Sequence, residues 1–232
     1  MTHHPLDNAV WLSLTGPQRE FARLGARAGR YHPQISPIAA VSDESDASFD
    51  ELARVVKPGE FIAIACERAL RERHWQPLMT VELGQWIHEQ PLHDTGSNGL
   101  LTLGAPDQHD MLALARLADP GPFELETWRL GTYFGVRADG QLVAMAGERM
   151  RLPGFIEVSA VATRPGFEGR GYASRLVRAL LGRQHAAGDV PFLHVRVGSP
   201  SERAATRVYE KLGFTLRRML PFRAAMRRAT TD

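Results

Sequence analysis

The sequence predicts an α/β protein in which a larger C-terminal domain follows a smaller N-terminal α/β region. Three observations carry this reading. Along residues 99–232, apolar residues at strand and at helix spacing alternate in the order β-α-β-β-β-α-β-α-β. Ala138-Asp139-Gly140, set between two alternating runs, signals a hairpin, so part of the sheet is antiparallel. The polar, glycine-rich stretch from His93 to Gly99 reads as a linker and separates residues 1–95 from 99–232.

In the first region, Thr15-Gly16-Pro17 predicts the start of a helix, with Thr15 as its cap and Pro17 in its first turn. Ile35 to Val41 and Phe61 to Cys66 read as short strands, with a helix near Ser48 to Val55 between them. Pro77 to Leu83 reads as a further strand.

The second region is more regular. Leu100 to Leu103 is a short strand, after which Asp107 caps a helix with Met111, Leu112, Leu114, Ala115 and Ala118 on one stripe. Asp119-Pro120-Gly121-Pro122 stops that helix. Thr132 to Arg137 and Gln141 to Met150 form the predicted hairpin, and Phe155 to Thr163 a third long strand. A glycine-rich turn leads into a helix carrying Ala173, Leu176, Val177, Leu180 and Leu181, which ends at Gly188. Phe192 to Val197 is a strand. Ser199-Pro200-Ser201-Glu202 predicts a capping box that opens the last helix, to about Leu212 and Gly213. A final strand follows, and no internal sequence repeat is present.

Composition bounds the function. The 232 residues are 44% hydrophobic and 23% charged, as in ordinary globular domains. A single cysteine, Cys66, cannot form an internal disulfide or a zinc ribbon. No apolar run approaches the roughly 20 residues of a membrane span, and Met1 to Trp11 is not a secretory signal. A cytoplasmic protein without membrane association is expected. The net charge of +2 is too small to argue nucleic-acid binding. Only Lys57 and Lys211 are lysines, and the arginine- and alanine-rich usage suggests a GC-rich bacterial genome. The arginine run from Arg217 to Arg228 reads as a solvated strand face or frayed tail.

The informative stretch runs from Val161 to Ala173. A strand ends, a loop turns through Gly166, Gly169 and Gly171, and a helix begins. Such a turn presents backbone N–H groups without helical partners at the positive end of a helix dipole, which suits an anion. The other reading is a tight β–α turn with glycines for steric reasons only. A dinucleotide fold fits poorly, because Ser174 stands at the third glycine position and the next strand ends without an acid. No phosphate-binding Gly-Lys-Ser/Thr motif is present.

This stretch resembles motif A of the GNAT superfamily of N-acetyltransferases, Gln/Arg-x-x-Gly-x-Gly/Ala. Gly171 and Ala173 match the small positions, while Glu168 stands where the family has Arg or Gln. Tyr209-Glu210-Lys211-Leu212-Gly213-Phe214 is similar to the segment that follows the last helix in many members. Glu202 stands where many members carry Asn. Pro120-Gly121-Pro122-Phe123 and Ala144 to Arg149 resemble an FR47-like subgroup. Residues 1–95 resemble the leading region of such proteins, a degenerate acetyltransferase-like half.

The resemblance implies a mixed, mostly antiparallel sheet and acetyl transfer from acetyl-coenzyme A to a primary amine. The amine belongs to a small molecule, an amino acid or a protein N-terminus, and the chain is a monomer or homodimer. A coenzyme-binding sensor or interaction module without turnover is the other function in view. The implied coenzyme contacts are Ser159, Val161, Ala162 and Thr163 on the strand, and Gly169, Arg170, Gly171, Tyr172, Ala173 and Ser174 at the turn. Tyr209 is the candidate acid, since a phenol of pKa about 10 can protonate a thiolate of pKa about 8.5. It also reads as a packing tyrosine. Glu157 is a candidate base, or else the partner of Arg149 or Arg151, and Glu148 is the second candidate base. On strict alternation, Glu157, Ser159, Val161 and Thr163 share one face and Val158, Ala160 and Ala162 the other. His185 and His194 lack partners at metal-ligand spacing, so no metal is expected.

Overall fold

The computed structural model describes residues 4–91 and 99–229. Most of the predicted linker, residues 93–98, lies outside the described residues. Sixteen main elements follow in chain order. The N-terminal region contributes α1 (Ala9–Thr15), β1 (Ala22–Leu24), β2 (Ala28–Tyr31), β3 (Ile38–Val41), α2 (Asp46–Val55), β4 (Phe61–Ala65) and β5 (Trp75–Ile87). Then come β6 (Leu101–Leu103), α3 (Gln108–Ala118), β7 (Tyr133–Ala138), β8 (Gln141–Leu152), β9 (Phe155–Thr163), α4 (Tyr172–Ala186), β10 (Val190–Arg196), α5 (Glu202–Leu212) and β11 (Thr215–Arg227).

The strands form one 11-stranded sheet in the order β1-β2-β3-β4-β11-β5-β10-β9-β8-β7-β6. Among the described residues only β3–β4 and β9–β10 pair in parallel, so the sheet is mixed and mostly antiparallel. Each parallel pair is joined by a helix, α2 or α4, as a crossover requires. Apart from β6 at the far edge, the order reads alike from both sides: β1-β2-β3-β4 then β11 on one, β7-β8-β9-β10 then β5 on the other. Each region thus lends a long strand to the other's half of the sheet. β5 lies between β11 and β10, and β11 between β4 and β5.

Helix packing follows strand alternation. Ile62, Ile64 and Ala225 face α2 with Phe49 and Leu52. Val158, Leu193 and Val195 face α4 with Leu176, Val177 and Leu180. On the opposite sheet face, α3 covers Met145, Ala160 and Ala162, and α1 covers Ile38 and Ala40. The β7–β8 hairpin turns through Asp139 and Gly140 at φ 48° and 77°, the left-handed pair of a two-residue turn. At Gly147 a Cβ would run into the Tyr133 ring, so only glycine fits there.

Several local expectations are corrected. The segment Thr15-Gly16-Pro17 ends a helix rather than starting one. Thr15 Oγ1 donates to Trp11 O, and Gly16 is the C-cap of α1. At the start of α5, the Glu202 carboxylate accepts from Gly198 N at 2.6 Å, not from Ser199 as a capping box would have it. The arginine run is not a frayed tail but part of strand β11 as far as Arg227, and it is solvated only in part: Arg228 is exposed, whereas others are tied into the fold. Arg227 is buried and donates to Ala53 O and His74 O, while Arg223 donates to Cys66 O and Glu67 O.

Candidate active site

The loop between β9 and α4 turns through three glycines in the left-handed region, Gly166, Gly169 and Gly171, at φ 86°, 74° and 79°. A Cβ on any of them would meet nothing within 4 Å, so the space over the loop is open. Gly171 is the N-cap of α4 and no side chain caps the helix. The N–H groups of its first turn therefore remain available to an anion. Glu168 is exposed at the cleft, and its carboxylate accepts from Gly166 N at 2.6 Å, which fixes the loop while keeping a negative charge beside it. Arg170 lies with its guanidinium 4.6 Å from the Phe167 ring centroid and donates to Gly166 O.

The strand leading into the loop is irregular where it matters. Ala160 has φ 51°, and the β8–β9 register slips between Met145 and Gly147. This is a β-bulge with a left-handed alanine, which costs on the order of 1–2 kcal/mol. The bulge overturns strict alternation: Val158 packs under α4, but Ala160 and Ala162 pack with α3. On its other edge, β9 pairs with β10 only as far as Glu157↔Phe192. Beyond that point β9 and β10 make no further ladder pair among the described residues, so the edge of β9 from Ser159 to Thr163 is open on that side.

A cleft of about 1150 Å³ runs from this opening across the middle of the sheet. Ser159, Val161, Ala162 and Thr163 line it, as do Gly169, Arg170, Gly171, Tyr172, Ala173 and Ser174. Tyr209, presented by α5, lines it too, its ring edge-on to Phe214 at 5.7 Å. Burial pushes the Tyr209 phenol up, so it stays protonated. Cys66 also lines the cleft, but burial pushes its thiol up to about 12, too high for a nucleophile.

Glu157 lies on the cleft floor with no exposed surface. Arg149 grips it bidentately, Nε to Oε2 and Nη2 to Oε1, both at 2.7 Å. Arg151, the other predicted partner, bonds Asp189 instead. Burial alone would raise the Glu157 pKa, but the Arg149 charge and hydrogen bonds, with His194, hold it down to about 2. Such a carboxylate is a weak base near neutrality. Glu148 does not line the cleft. It is buried on the α4 side, where it accepts from Thr132 N at 2.9 Å and Gln184 Nε2 at 3.3 Å.

His194 and Gln85 are the site residues that sequence reasoning missed. His194 Nδ1 lies 2.8 Å from Glu157 Oε1, and its Nε2 lies 3.1 Å from Gln85 Nε2. Gln85 Nε2 also donates to Leu6 O, while its Oε1 accepts from Arg217. With the Gln85 amide so oriented, Nδ1–H donates to the carboxylate and Nε2 accepts from the amide. The available signal was the alternation of β10: Phe192 and His194 share a face, and Phe192 is the partner of Glu157. Nothing local could have pointed to Gln85 or Leu6. His185 bonds His88 at 2.8 Å, away from this network.

Glu157→Ala is expected to destabilise the fold by about 3–5 kcal/mol, because it strands the buried Arg149 charge. Urea denaturation of variant and wild type measures this. Because folding depresses this pKa, its stabilisation is complete above about pH 4.5 and is lost as pH falls through about 2. The variant's stability should accordingly vary less than the wild type's across that window. An equally steep acid dependence in both would contradict the assignment.

Comparisons with known proteins bear on the family and the fold. Residues 133–222 match the family model described as FR47-like protein. A crystal structure from Novosphingobium aromaticivorans DSM 12444, assigned to the GNAT family, is 36% identical, covers 98% of this chain and 100% of its own, and superposes with a TM-score of 0.88. A GCN5-related N-acetyltransferase from Kribbella flavida shares the fold at 15% identity, with 96% of each chain covered and a TM-score of 0.58. The N-alpha-acetyltransferase RimI of Mycobacterium tuberculosis is 40% identical over 85 residues, 35% of this chain and 51% of that protein. This chain thus matches about half the length of that curated relative. With a whole-length relative at this identity, and with the glycine loop, the bulged strand and the strand opening in one cleft, the chain belongs to the GNAT family of acetyltransferases.

Proposed function

We propose that the chain transfers an acetyl group from acetyl-coenzyme A to a primary amine. The observation that carries this is the continuity of three parts in one cleft: the uncapped, glycine-lined start of α4, the open β9 edge, and Tyr209. Bound acetyl-coenzyme A supplies the thioester whose carbonyl carbon the amine attacks. The α4 N-terminus and Arg170 hold its pyrophosphate. The N–H groups of Val161 and Thr163 on the open edge of β9 bind the extended arm and polarise the carbonyl, with Ser159 lining the arm's path. A carbon–nitrogen bond forms and the carbon–sulfur bond breaks, and Tyr209 hands its proton to the leaving sulfur.

Glu157 is assigned a positioning role. Locked to Arg149 and His194, it is a fixed charge on the cleft floor and too acidic to take up the ammonium proton efficiently. Glu148, outside the cleft, is not part of this reading. The ammonium's first proton leaves through cleft water before attack, and the one the nitrogen loses after the carbon–nitrogen bond forms restores the Tyr209 hydroxyl through the same water.

Residues 1–95 are proposed to be a second, degenerate copy of the same layout. Their topology supports this, as β3-α2-β4 mirrors β9-α4-β10. The turn into α2 carries Asp43, Glu44 and Asp46 where the other copy carries glycines, and Ser45 caps the helix. Carboxylates there repel phosphate, so one coenzyme per chain is expected. A cytoplasmic, bacterial setting fits the lone buried Cys66 and the arginine-rich composition. No helix among the described residues is long and apolar enough to cross a membrane.

The test is differential stabilisation. Acetyl-coenzyme A at 100 times its Kd should stabilise the protein by about 2.7 kcal/mol. For a chain of this size, that raises Tm by about 5–10 °C. NADH should not act alike. A flat response to acetyl-coenzyme A, or an equal shift with NADH, would remove the reading.

A further inference from the structure

We propose that the part of the cleft remote from the glycine loop binds the acceptor, and that the acceptor is a primary amine carrying an extended hydrocarbon body. This rests on the acetyl-transfer reading above. The strand registers fix the surface. Ala65 pairs with Phe222, and Phe222 with Val81. One step further along the strands, Ala63 pairs with Ala224. These residues and Phe61 all line the cleft, and their sequence neighbours Ile62, Ile64 and Ala225 face α2 instead. Alanine at three of the positions leaves depth, and the two phenylalanines stand beside it.

The apolar trough begins where the polar floor ends. On β5, Val81 lies four residues from Gln85, the partner of His194, a distance of about 13 Å along a strand. A polar acceptor body here would give up water without gaining a hydrogen-bond partner, whereas hydrocarbon gains by burial. The nearby carboxylates do not offer a site for a polycation either. Glu44 is taken up by the N–H groups of Glu67 and Arg68, both at 2.8 Å, Asp7 by Arg217 and Arg218, and the exposed Glu67 carboxylate pairs with Arg218 at 3.4 Å. A hydrocarbon chain bearing one amine fits the lining, with the amine at the polar floor and the chain along β4, β11 and β5.

The experiment measures coenzyme A release from acetyl-coenzyme A with straight-chain amines from propylamine to octylamine, beside ethanolamine and spermidine. kcat/KM should rise about fourfold per methylene until the trough is filled, with ethanolamine and spermidine lowest. Ala65→Phe fills the trough and should cut the octylamine-to-propylamine ratio about tenfold, with the Kd for acetyl-coenzyme A unchanged. Val81→Thr, close in shape but polar, should lower the same ratio and serves if Ala65→Phe does not fold. A flat series, a preference for spermidine, or a chain-length gain that follows the acyl donor from acetyl to octanoyl would overturn the proposal. Calorimetry of octylamine with the coenzyme-A-loaded protein separates the two readings. Binding without turnover upholds the trough and counts against acetyl transfer. Turnover without chain-length dependence counts against the trough alone.

Discussion

Gly171→Glu abolishes acetyl-coenzyme A binding and leaves the protein folded. Gly171 sits at φ 79° as the N-cap of α4, with open space where a side chain would point. The substitution therefore meets no steric clash. It carries the left-handed penalty of a non-glycine residue, on the order of 1–2 kcal/mol, which a native fold tolerates. Its side chain, however, enters the place proposed for the pyrophosphate, and its charge opposes both the phosphates and the attraction of the helix N-terminus. Gly171→Ala separates these effects, since it shares the backbone strain but adds neither bulk nor charge. Calorimetry should find no binding for the glutamate variant and weakened binding for the alanine variant, each with a cooperative melt. Unchanged affinity in Gly171→Glu would show that the loop is a structural turn only.

Tyr209→Phe lowers kcat by about 10²-fold or more, the size expected when a positioned acid is removed. The ring packs against Phe214 and the α4 cluster and is retained in the variant, so stability changes little. The hydroxyl makes no hydrogen bond to another side chain among the described residues, so its loss leaves no partner unsatisfied. Coenzyme affinity should barely move, because the proton matters where charge develops on sulfur. A wild-type kcat in the variant would take Tyr209 out of the mechanism and leave it as a packing residue.

The C-terminal region was legible because its signals are local. The Asp139-Gly140 turn, the Gly171 and Gly213 helix boundaries and the 3–4 spacing in α4 each act within a few residues. Residues Phe155–Thr163 form the predicted strand. The N-terminal region was less so. β1 and β2 are only three and four residues long, and Ala28–Tyr31 is buried throughout, so no alternation marks it. Of β5, the sequence marks only Pro77 to Leu83 as a strand. In the fold, Pro77 sits at a register shift and the strand runs on to Ile87. The exchange of β5 and β11 between the two halves joins segments more than a hundred residues apart, which no local pattern encodes.

The site divides the same way. The glycine loop announces itself, because only glycine suits successive left-handed positions. The Glu157 floor does not, because its partners come from β8, β10 and β5 and meet only in the folded sheet. Strict alternation failed at Ala160, whose left-handed φ reverses the faces beyond it. An alanine gives no warning of a bulge.

The most direct measurement is thiol release from acetyl-coenzyme A with and without a primary amine, with mass spectrometry of the amine. Acetyl transfer predicts release that depends on the amine and matches, mole for mole, the acetylated product. Tight acetyl-coenzyme A binding with no amine-dependent release, across small amines, amino acids and peptides, would contradict it and leave a coenzyme-binding module in its place.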